Sequence, residues 1–175
     1  MKTYIVLLRG VNVSGKNKLP MEELRNLLNE LNFSNVSTYI QSGNIILQSE
    51  ATKETIVDAI RNAIKLKFGY EVPVIIRTPQ EWKRAIDNYP FSIENEKIVA
   101  FCFLDTAVSI TEIEIKGINE DQYKINDDVV YLFCPSGFGR TKLTNNSIEK
   151  KLNVAATTRN LKTTLKLWEL SKEIN

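Results

Sequence analysis

The sequence predicts an α+β fold built from two similar halves, and three observations lead to this prediction. Short runs rich in β-branched and aromatic residues are typical of strands. Longer segments between them carry leucine or isoleucine at helical spacing. The order of these segments over the first 77 residues returns in the second part of the chain, from about residue 97. With 175 residues, 43% of them hydrophobic, the chain is long enough to bury a substantial core.

The first half begins with the strand TYIVLL and a helix that follows Pro20, a residue suited to a first helical turn. The runs VSTYIQ and NIILQS predict two more strands, joined by a tight hairpin turn at Ser42 and Gly43. A second helix is predicted over residues 52–68, with Gly69 as its terminator, and EVPVIIR is predicted as the fourth strand. This βαββαβ order is that of the ferredoxin-like fold.

The second half follows a connector helix, predicted over residues 80–87, and begins with the strand KIVAFCFL. The segment TAVSITEIEIKGI is ambiguous, because ITEIEI alternates like a strand where the repeat requires a helix, and we predict a short helix. QYKINDDVVYLF predicts a hairpin that turns at Asp127 and Asp128. Two helices over residues 145–152 and 161–172 close the chain. One side of the last helix is formed by Leu161, Leu165 and Trp168.

The predicted fold class is therefore α+β, with two ferredoxin-like (βαββαβ-type) halves packed together. Residues 1–78 form the first half, residues 79–96 a connector helix and loop, and residues 97–175 the second half with its C-terminal helices. No low-complexity segment or flexible linker separates the halves in the sequence, so we expect them to pack as one unit.

Histidine is absent from the sequence, and its absence excludes several classes of site. Ser-His-Asp and Cys-His nucleophile systems and His-based metal centres are ruled out, and we predict neither a metal nor a cofactor. Cys102 and Cys134 lie in apolar runs without C-x-x-C spacing, so we expect them to be buried and not redox-active. No segment approaches a membrane span and no signal sequence is present, so we expect a cytoplasmic protein without a membrane partner.

The net charge of +2 is unevenly distributed along the chain. Residues 49–135 carry 10 basic and 15 acidic side chains, whereas residues 136–175 carry 8 basic and 3 acidic ones. Such polarity suits an anionic partner that docks on surfaces from the two ends of the chain, although a solvated basic helix gives the same count.

The loop RGVNVSGKNK after the first strand is rich in hydrogen-bond donors. Gly10, Gly15 and Lys16 fit the phosphate-loop motif G-x-x-x-x-G-K-[S/T], but Asn17 replaces the hydroxyl residue that coordinates Mg²⁺. Pro20 also delays the helix whose N-terminus would face the phosphates, so a nucleoside triphosphatase is disfavoured. The loop is then either a turn with solvated lysines or an anion-contacting loop. The anion-contacting residues would be Arg9, Asn12, Lys16, Asn17 and Lys18.

Two further polar segments lie in the C-terminal part of the chain. PSGFGRTK carries Arg140 and Lys142 beside glycines that allow close backbone approach, and AATTRN carries Arg159 and Asn160 before the last helix. Helix capping explains some of the side chains around these segments, Asn145 among them. Together with the loop after the first strand, these segments make three polar loops, which is more than helix capping requires. The predicted site requires that the three loops lie close together in the fold.

Aromatic pairs on two strands of the second half raise an RNA-recognition alternative. Phe101 and Phe103 share one face of a strand, as do Tyr131 and Phe133, and rings in this arrangement can stack on bases. The first half lacks the corresponding aromatics, and burial of these rings in the core is the competing interpretation.

The blocks RGVNVSGKNKLP, YIQSGNIIL and TKLTNNSIEKKLNVAATTRNLKTTLKL, in this order, resemble the bacterial family of unknown function DUF1697. The resemblance spans almost the whole chain, implies a pair of ferredoxin-like halves and brings no established activity. Members often have an aromatic residue where this chain has Leu161. The recurrent polar positions of the family correspond here to Arg9, Gly10, Asn12, Gly15, Lys16, Asn17, Lys18, Gln41, Ser42, Gly43, Asn44, Lys142, Asn145, Glu149, Thr157, Thr158, Arg159, Asn160 and Thr163.

Our leading hypothesis is a binding protein that holds a phosphate-bearing ligand in a basic polar cleft between the halves. The ligand would be a nucleotide, a phosphorylated metabolite or nucleic acid. Two alternatives stay open: an enzyme acting on a small anionic metabolite with Glu149 as general base, and a structural or protein-interaction module. The ligand-binding residues of the leading hypothesis are Arg9, Asn12, Lys16, Asn17, Lys18, Gln41, Ser42, Asn44, Arg140, Lys142, Asn145, Arg159 and Asn160.

Overall fold

The computed structural model describes residues 1–174, and within them the fold is α+β with two four-stranded antiparallel sheets and five α-helices. The predicted α+β class is therefore confirmed. The strands are β1 Lys2–Leu8, β2 Ser34–Tyr39, β3 Asn44–Ser49, β4 Val74–Arg77, β5 Val99–Leu104, β6 Gln122–Asn126, β7 Val129–Phe133 and β8 Ala156–Asn160. The helices are α1 Met21–Glu30, α2 Lys53–Phe68, α3 Pro79–Asp87, α4 Asn145–Leu152 and α5 Leu161–Glu173.

The chain divides into two compact units. Unit 1 comprises residues 1–83 with the C-terminal residues from Leu167 onwards, and unit 2 comprises residues 84–166. The sheet of unit 1 has the strand order β2-β3-β1-β4, and the sheet of unit 2 has the order β6-β7-β5-β8. Each sheet therefore places its first strand between its third and its fourth. No helix within residues 1–174 is both long and apolar enough to cross a membrane.

Helices α1 and α2 contribute to the core of unit 1 as their sequence periodicity predicts. Helix α2 begins after the N-cap Thr52, whose side chain accepts a hydrogen bond from the Thr55 amide, and it ends at Gly69 in the left-handed conformation. Burial of each isoleucine side chain contributes about 1.5–3 kcal/mol. The buried stripe of α2 consists of Ile56, Ile60 and Ile64. The alternate β1 residues that belong to the same core are Tyr4, Val6 and Leu8.

The hairpin between β2 and β3 differs from the two-residue turn that the sequence predicts. Tyr39 pairs with Asn44, so the turn consists of residues 40–43. Ile40 adopts a positive φ of 49°, which is uncommon for a β-branched residue. The predicted hairpin is confirmed, but its turn is longer than predicted, because Ser-Gly marks the turn without specifying its length, which the pairing of the flanking strands decides.

Gly43, the last residue of this turn, is buried and closely packed. Its carbonyl accepts a hydrogen bond from the Leu8 amide at 2.8 Å, and its φ is 79°. A Cβ atom on Gly43 would lie 2.7 Å from Leu8 Cβ and 2.8 Å from Val11 Cγ2. Glycine is therefore required here both by the backbone conformation and by the space available.

Residues 105–121, between β5 and β6, are neither helix nor strand, so the short helix predicted there is wrong. Isoleucines of the alternating ITEIEI pattern pack against the core of unit 2 together with Val108 and Ile118. The Tyr123 hydroxyl accepts a hydrogen bond from the Ile113 amide at 2.9 Å and donates one to the Ile113 carbonyl at 2.7 Å. Residues 105–121 therefore form an irregular covering over the core of unit 2 in place of the predicted helix. Isoleucines spaced two residues apart point to the same side of an extended backbone, which places them against this core.

The segment AATTRN, predicted as a polar loop, contains strand β8, which pairs antiparallel with β5. Successive side chains of a strand point to opposite faces of the sheet. Thr158 and Asn160 therefore share one face, while Thr157 and Arg159 share the other and are buried. The sequence signal for a strand is weak here because the segment is short and polar.

The other C-terminal elements agree with the sequence apart from one helix face. Helix α4 has the predicted bounds, and the second hairpin turns at the predicted Asp127 and Asp128. The predicted apolar side of α5 is wrong, because Leu165 is 42% exposed. Thr164 and Leu167 are fully buried instead, so the buried stripe includes a hydroxyl that the apolar pattern does not reveal.

The aromatic residues of β5 and β7 do not form a stacking platform, since Phe101, Phe103 and Tyr131 are at most 2% exposed and the half-buried Phe133 packs against Phe91, with ring centroids 5.7 Å apart. Tyr89 packs against Phe101 and Tyr131 with ring centroids 5.2 and 5.8 Å apart. Its hydroxyl donates a hydrogen bond to the Leu132 carbonyl at 2.8 Å. These rings form a tilted and edge-to-face cluster inside unit 2, the geometry that aromatic quadrupoles favour.

We expect Gly43→Ala to lower the free energy of unfolding by about 2–4 kcal/mol, because the added methyl group meets Leu8 and Val11 at a positive φ. Urea denaturation followed by circular dichroism measures this change. Gly15→Ala is the matched control: φ is 74° there, but no atom lies within 4 Å of an added Cβ, so we expect a loss of about 1 kcal/mol. Equal losses for the two variants would contradict the role assigned to close packing at Gly43.

Candidate functional site

Asn12 joins the first polar loop of unit 1 to the hairpin loop. Its Nδ2 donates hydrogen bonds to the Leu19 carbonyl at 2.9 Å and to the Gln41 carbonyl at 2.7 Å. Its Oδ1 accepts a hydrogen bond from the Leu19 amide at 2.8 Å. Both N–H donors of the side chain are therefore used within the protein. Asn12 positions the two loops instead of presenting a donor to a ligand.

Asn17 and Asn44 hold their loops in the same manner. Asn17 Nδ2 donates to the Gly10 carbonyl at 3.1 Å. Asn44 is fully buried, and its Nδ2 donates to the Tyr39 carbonyl at 3.1 Å and to Ser42 Oγ at 2.8 Å. These residues are part of the predicted site by position, but their described side-chain contacts stabilise turns.

The predicted side chains of unit 1 that are exposed to solvent are Lys16, Lys18 and Gln41, whereas Arg9 at the end of β1 is half-buried. Helix α1 begins at Met21, five residues after Lys16. The loop therefore does not lead directly into a helix, as a phosphate loop does, and its amides are not aligned with a helix dipole. Unit 1 therefore contributes two exposed lysines on the first polar loop and the exposed Gln41 on the hairpin loop.

A cavity of about 390 Å³ in unit 2 lies where α4 and α5 begin. Thr144 is the N-cap of α4, and its Oγ1 accepts a hydrogen bond from the Ser147 amide at 3.1 Å. Asn160 has the same role for α5, since its Oδ1 accepts a hydrogen bond from the Thr163 amide at 2.8 Å. Both helices thus place their positive ends at the cavity. The cavity is lined by Ala100, Phe138, Thr141, Leu143, Thr144, Asn145, Thr158 and Asn160.

Asn145, the first residue of α4, is oriented by two donors. Its Oδ1 accepts hydrogen bonds from Thr158 Oγ1 at 2.6 Å and from Cys102 Sγ at 3.9 Å. Among the described residues its Nδ2 has no acceptor, and the same is true of Nδ2 of Asn160, whose oxygen caps α5. Within residues 1–174, neither aspartate nor glutamate lines the cavity. The cavity therefore offers donors and suits a ligand rich in acceptors.

Asp121 holds the loop of residues 134–144, which forms one wall of the cavity. Its carboxylate accepts hydrogen bonds from the Ser136 amide at 3.0 Å and from the Ser136 hydroxyl. Burial raises the pKa of Asp121, but hydrogen bonds from Ser136 and Thr141 outweigh this effect and hold the pKa below its ordinary value. In the same loop, burial raises the pKa of the Cys134 thiol to about 11, so the thiol is protonated at neutral pH.

The three cationic residues predicted in unit 2 fall into two groups. Arg140 and Lys142 are exposed on the loop that borders the cavity. Arg159 is buried on the opposite face of β8 from Asn160, and its Nη1 donates to Thr157 Oγ1 at 2.6 Å. Arg159 therefore does not line this cavity, because strand alternation turns it away.

Glu149, the candidate base of the enzyme alternative, connects α4 to β8. Its Oε2 accepts a hydrogen bond from the Ala156 amide at 3.0 Å, and Asp105 Oδ1 accepts one from the Ala155 amide at 3.1 Å. Both acids border another cavity of about 390 Å³. These carboxylates satisfy backbone donors at the start of a strand, so their described contacts are structural.

Several residues that build the unit 2 cavity are not among the ligand-binding residues that the sequence predicts. Thr144 and Ser147 have the three-residue separation of a capping box, so a local signal exists for the cap. Thr158 follows from strand alternation once β8 is recognised. Phe138 and Asp121 have no local signal, because their places depend on the path of the loop after β7.

The fold and the cavity define a two-unit α+β protein with a donor-rich polar site in its second unit. The family described as protein of unknown function (DUF1697) has a sequence model that matches residues 1–131, so the chain belongs to the DUF1697 family. The solved structure of conserved bacterial protein SP0830 from Streptococcus pneumoniae is similar, with a TM-score of 0.70 and 21% sequence identity, covering 97% of this chain and 98% of that chain. This likeness concerns the fold alone. No curated protein matches the sequence.

We expect Asp121→Asn to lower the free energy of unfolding at pH 7 by about 1–3 kcal/mol, because the amide cannot accept both hydrogen bonds from Ser136. The pKa of Asp121 is lowered in the fold, so its carboxylate stabilises the protein above the unfolded pKa, about 3.9. That stabilisation is lost as the pH falls through the folded pKa. The difference between variant and wild type should therefore shrink below about pH 4.

Urea denaturation at pH 7 and pH 3 measures both parts of this prediction. Asp127→Asn is the control, because Asp127 lies exposed in the β6–β7 turn and asparagine tolerates its positive φ of 54°. A loss for Asp121→Asn that is the same at both pH values would show that the ionised carboxylate is not what holds the loop.

Proposed function

We propose that the protein binds a phosphate-bearing small molecule whose anionic group lies in the cavity at the start of α4 and α5. The observation that carries this proposal is the orientation of Asn145 and Asn160. Their oxygens are engaged by Thr158 and by the Thr163 amide, which leaves their nitrogens as donors at one cavity. Backbone N–H groups in the first turns of two helices add to these donors, as in other anion sites at helix N-termini.

Charge near the cavity supports an anion over a neutral ligand. Arg140 and Lys142 are exposed on the bordering loop, and no acid is among the described residues that line the cavity. Exposed cations are screened by salt, so their attraction is modest and acts mainly on association and charge selection. Arginine adds the ability to bind a phosphate through two parallel hydrogen bonds.

The size and lining of the cavity favour a small molecule over a polymer. A volume of about 390 Å³ lies within the range of small-molecule sites, roughly 300–1,000 Å³. Ala100, Phe138 and Leu143 supply apolar surface against which a nucleobase or another ligand body can pack. Of the aromatic residues considered for base stacking, Phe101, Phe103 and Tyr131 are buried and Phe133 is half-buried. A nucleotide or a phosphorylated metabolite is therefore preferred to nucleic acid.

Other parts of the sequence-based hypothesis remain predictions. The participation of Arg9, Lys16, Lys18 and Arg159 in ligand binding is one of them. We also propose that each unit is ferredoxin-like: the βαββαβ order and the strand order of unit 1 support this, and unit 2 has the same strand order with an irregular segment in place of its first helix. The domain boundaries 1–78, 79–96 and 97–175 stay predictions.

Asn145→Asp tests the proposal because it replaces an amide donor with a carboxylate of the same shape. We expect the affinity for inorganic phosphate and for a nucleoside monophosphate to fall by about tenfold or more, since a donor is lost and repulsion is added. Isothermal titration calorimetry at constant ionic strength measures this change. The thermal unfolding midpoint should change little, because a negative charge is tolerated in the first turn of α4.

Asn146→Asp is the matched control for this experiment. It adds the same charge one residue later on α4, at an exposed position that does not line the cavity. We expect a loss of affinity below about threefold, because an exposed charge is largely screened. Equal losses for both variants, or no phosphate binding by the wild-type protein, would refute the proposed site.

Comparison with a short oligonucleotide separates the small-molecule and nucleic-acid versions. Binding of a polynucleotide weakens steeply with salt, with a log-log slope of about −0.7 to −0.9 for each phosphate contact. We expect the monophosphate to bind at least as tightly as the oligonucleotide, with a shallow slope. Tighter oligonucleotide binding with a steep slope, measured by fluorescence anisotropy, would show that the small-molecule version is wrong.

A further inference from the structure

The two units place corresponding residues at corresponding helix ends. Helix α2 connects the third and fourth strands of unit 1, and α4 connects the third and fourth strands of unit 2. Thr52 and Thr144 are the N-caps of these helices, and each accepts a hydrogen bond from the amide three residues later. The first helical residues, Lys53 and Asn145, therefore occupy equivalent positions.

The helices that follow the fourth strands, α3 and α5, are equivalent in the same way. Thr78 Oγ1 accepts a hydrogen bond from the Glu81 amide at 3.2 Å. Asn160 Oδ1 accepts one from the Thr163 amide at 2.8 Å. Thr78 thus corresponds to Asn160, and Glu81 corresponds to Thr163, each three residues after its cap.

In unit 1 a carboxylate joins the starts of the two helices. Lys53 Nζ donates to both carboxylate oxygens of Glu81 at 2.5 Å, and the Thr78 amide donates to Glu81 Oε2 at 2.8 Å. Burial raises the pKa of Glu81, but the hydrogen bonds from Lys53 and Thr78 outweigh this effect and hold the pKa below its ordinary value. Unit 1 therefore already contains, at its two helix starts, an anion that is held by a side-chain nitrogen and a backbone amide.

In unit 2 both members of this pair are replaced by uncharged residues. Asn145 stands where Lys53 stands in unit 1, and Thr163 stands where Glu81 stands. Asn145 keeps a side-chain nitrogen where Lys53 has one, and the side-chain nitrogen of Asn160 is a second donor at the cavity, whereas the second donor to Glu81 in unit 1 is the backbone amide of Thr78. Within residues 1–174, no carboxylate stands at the equivalent place in unit 2, because Thr163 replaces Glu81 and no acid lines the cavity.

We infer that the unit 2 cavity takes a terminal oxyanion group of a ligand in the place that the Glu81 carboxylate holds in unit 1. This inference rests on the proposed function and narrows its ligand class. A terminal group offers at least two oxygens on one atom, as Glu81 does, so that one accepts from Asn145 Nδ2 and another from Asn160 Nδ2. Phosphate monoesters fit this requirement, whereas an internal phosphodiester must continue in two directions from the same pocket. The unit 2 cavity would therefore recognise the chemistry that a terminal phosphate and a carboxylate share.

The test installs the unit 1 pair in unit 2. Asn145→Lys combined with Thr163→Glu supplies an internal carboxylate and its lysine, and we expect binding of inorganic phosphate to fall at least tenfold. Asn145→Lys combined with Thr163→Gln is the matched control. It has the same lysine and a side chain of the same size without the negative charge, so we expect it to bind phosphate at least tenfold more tightly than the Glu variant. Calorimetry measures binding, and circular dichroism confirms that each variant folds.

If the double variant does not fold, Thr163→Glu alone is used for the binding test. The carboxylate is then present without its lysine, and we again expect at least a tenfold loss relative to Thr163→Gln. If the wild-type chain binds no phosphate, the proposed function is refuted. If the wild-type chain binds phosphate and the Glu variants bind it as well as the Gln variants, the proposed function survives and the present inference is overturned.

A series of ligands tests whether the bound group must be terminal, and it distinguishes a phosphate from a carboxylate. Inorganic phosphate and a nucleoside monophosphate carry terminal phosphates, acetate and succinate carry carboxylates, and dimethyl phosphate is a diester. We expect at least one terminal class to bind at least tenfold more tightly than the diester, and the stronger class identifies the natural head group. A diester that binds as tightly as the terminal groups would overturn the inference.

Discussion

The N–H groups at the start of an α-helix have no acceptor in their own helix, and roughly four of them must be satisfied from outside. Both units meet this requirement with a Thr or Asn cap, but a cap accepts from only one or two donors. Unit 1 adds the Glu81 carboxylate, which Lys53 holds in place. Unit 2 leaves a cavity at the equivalent helix starts. In each unit, two helices thus begin close together with N–H groups that need acceptors. In unit 1 a carboxylate of the chain lies at this place, whereas in unit 2 the equivalent place is a cavity.

Periodicity predicts most of this fold because apolar residues at helical spacing form the buried stripes of α1, α2 and α4. The cap at Thr52 and the left-handed Gly69 fix the two ends of α2, and the structure places this helix where the sequence does. Prediction fails where tertiary contacts decide the backbone. The segment 105–121 has the spacing of a strand in the place of a helix, and it forms neither, but its isoleucines pack against the core of unit 2.

The candidate site is less predictable, because composition does not distinguish a side chain that holds a loop from one that faces a ligand. Asn12, Asn17 and Asn145 all lie in polar segments, yet the first two donate to backbone carbonyls in their own loops. Asn145 differs because its Nδ2 has no acceptor among the described residues, while Thr158, thirteen residues later, donates to its oxygen. That contact requires β8 to lie beside α4, which no local pattern specifies. Arg159, in the same strand as Thr158, also lies in a polar segment. Strand alternation nevertheless buries its side chain on the other face of the sheet, away from the cavity.

The irregular covering between β5 and β6 gives the two units unequal local stability despite their similar sheets. In unit 1 the corresponding connection is α1, whose amides are protected by the hydrogen-bond ladder of a helix. In unit 2 the covering relies on apolar contacts and on the two hydrogen bonds between Tyr123 and Ile113. Amide hydrogens in this covering are therefore expected to exchange with solvent through a sub-global opening in which β5 to β8 stay paired. Such an opening uncovers the apolar interior of one unit while the other remains closed.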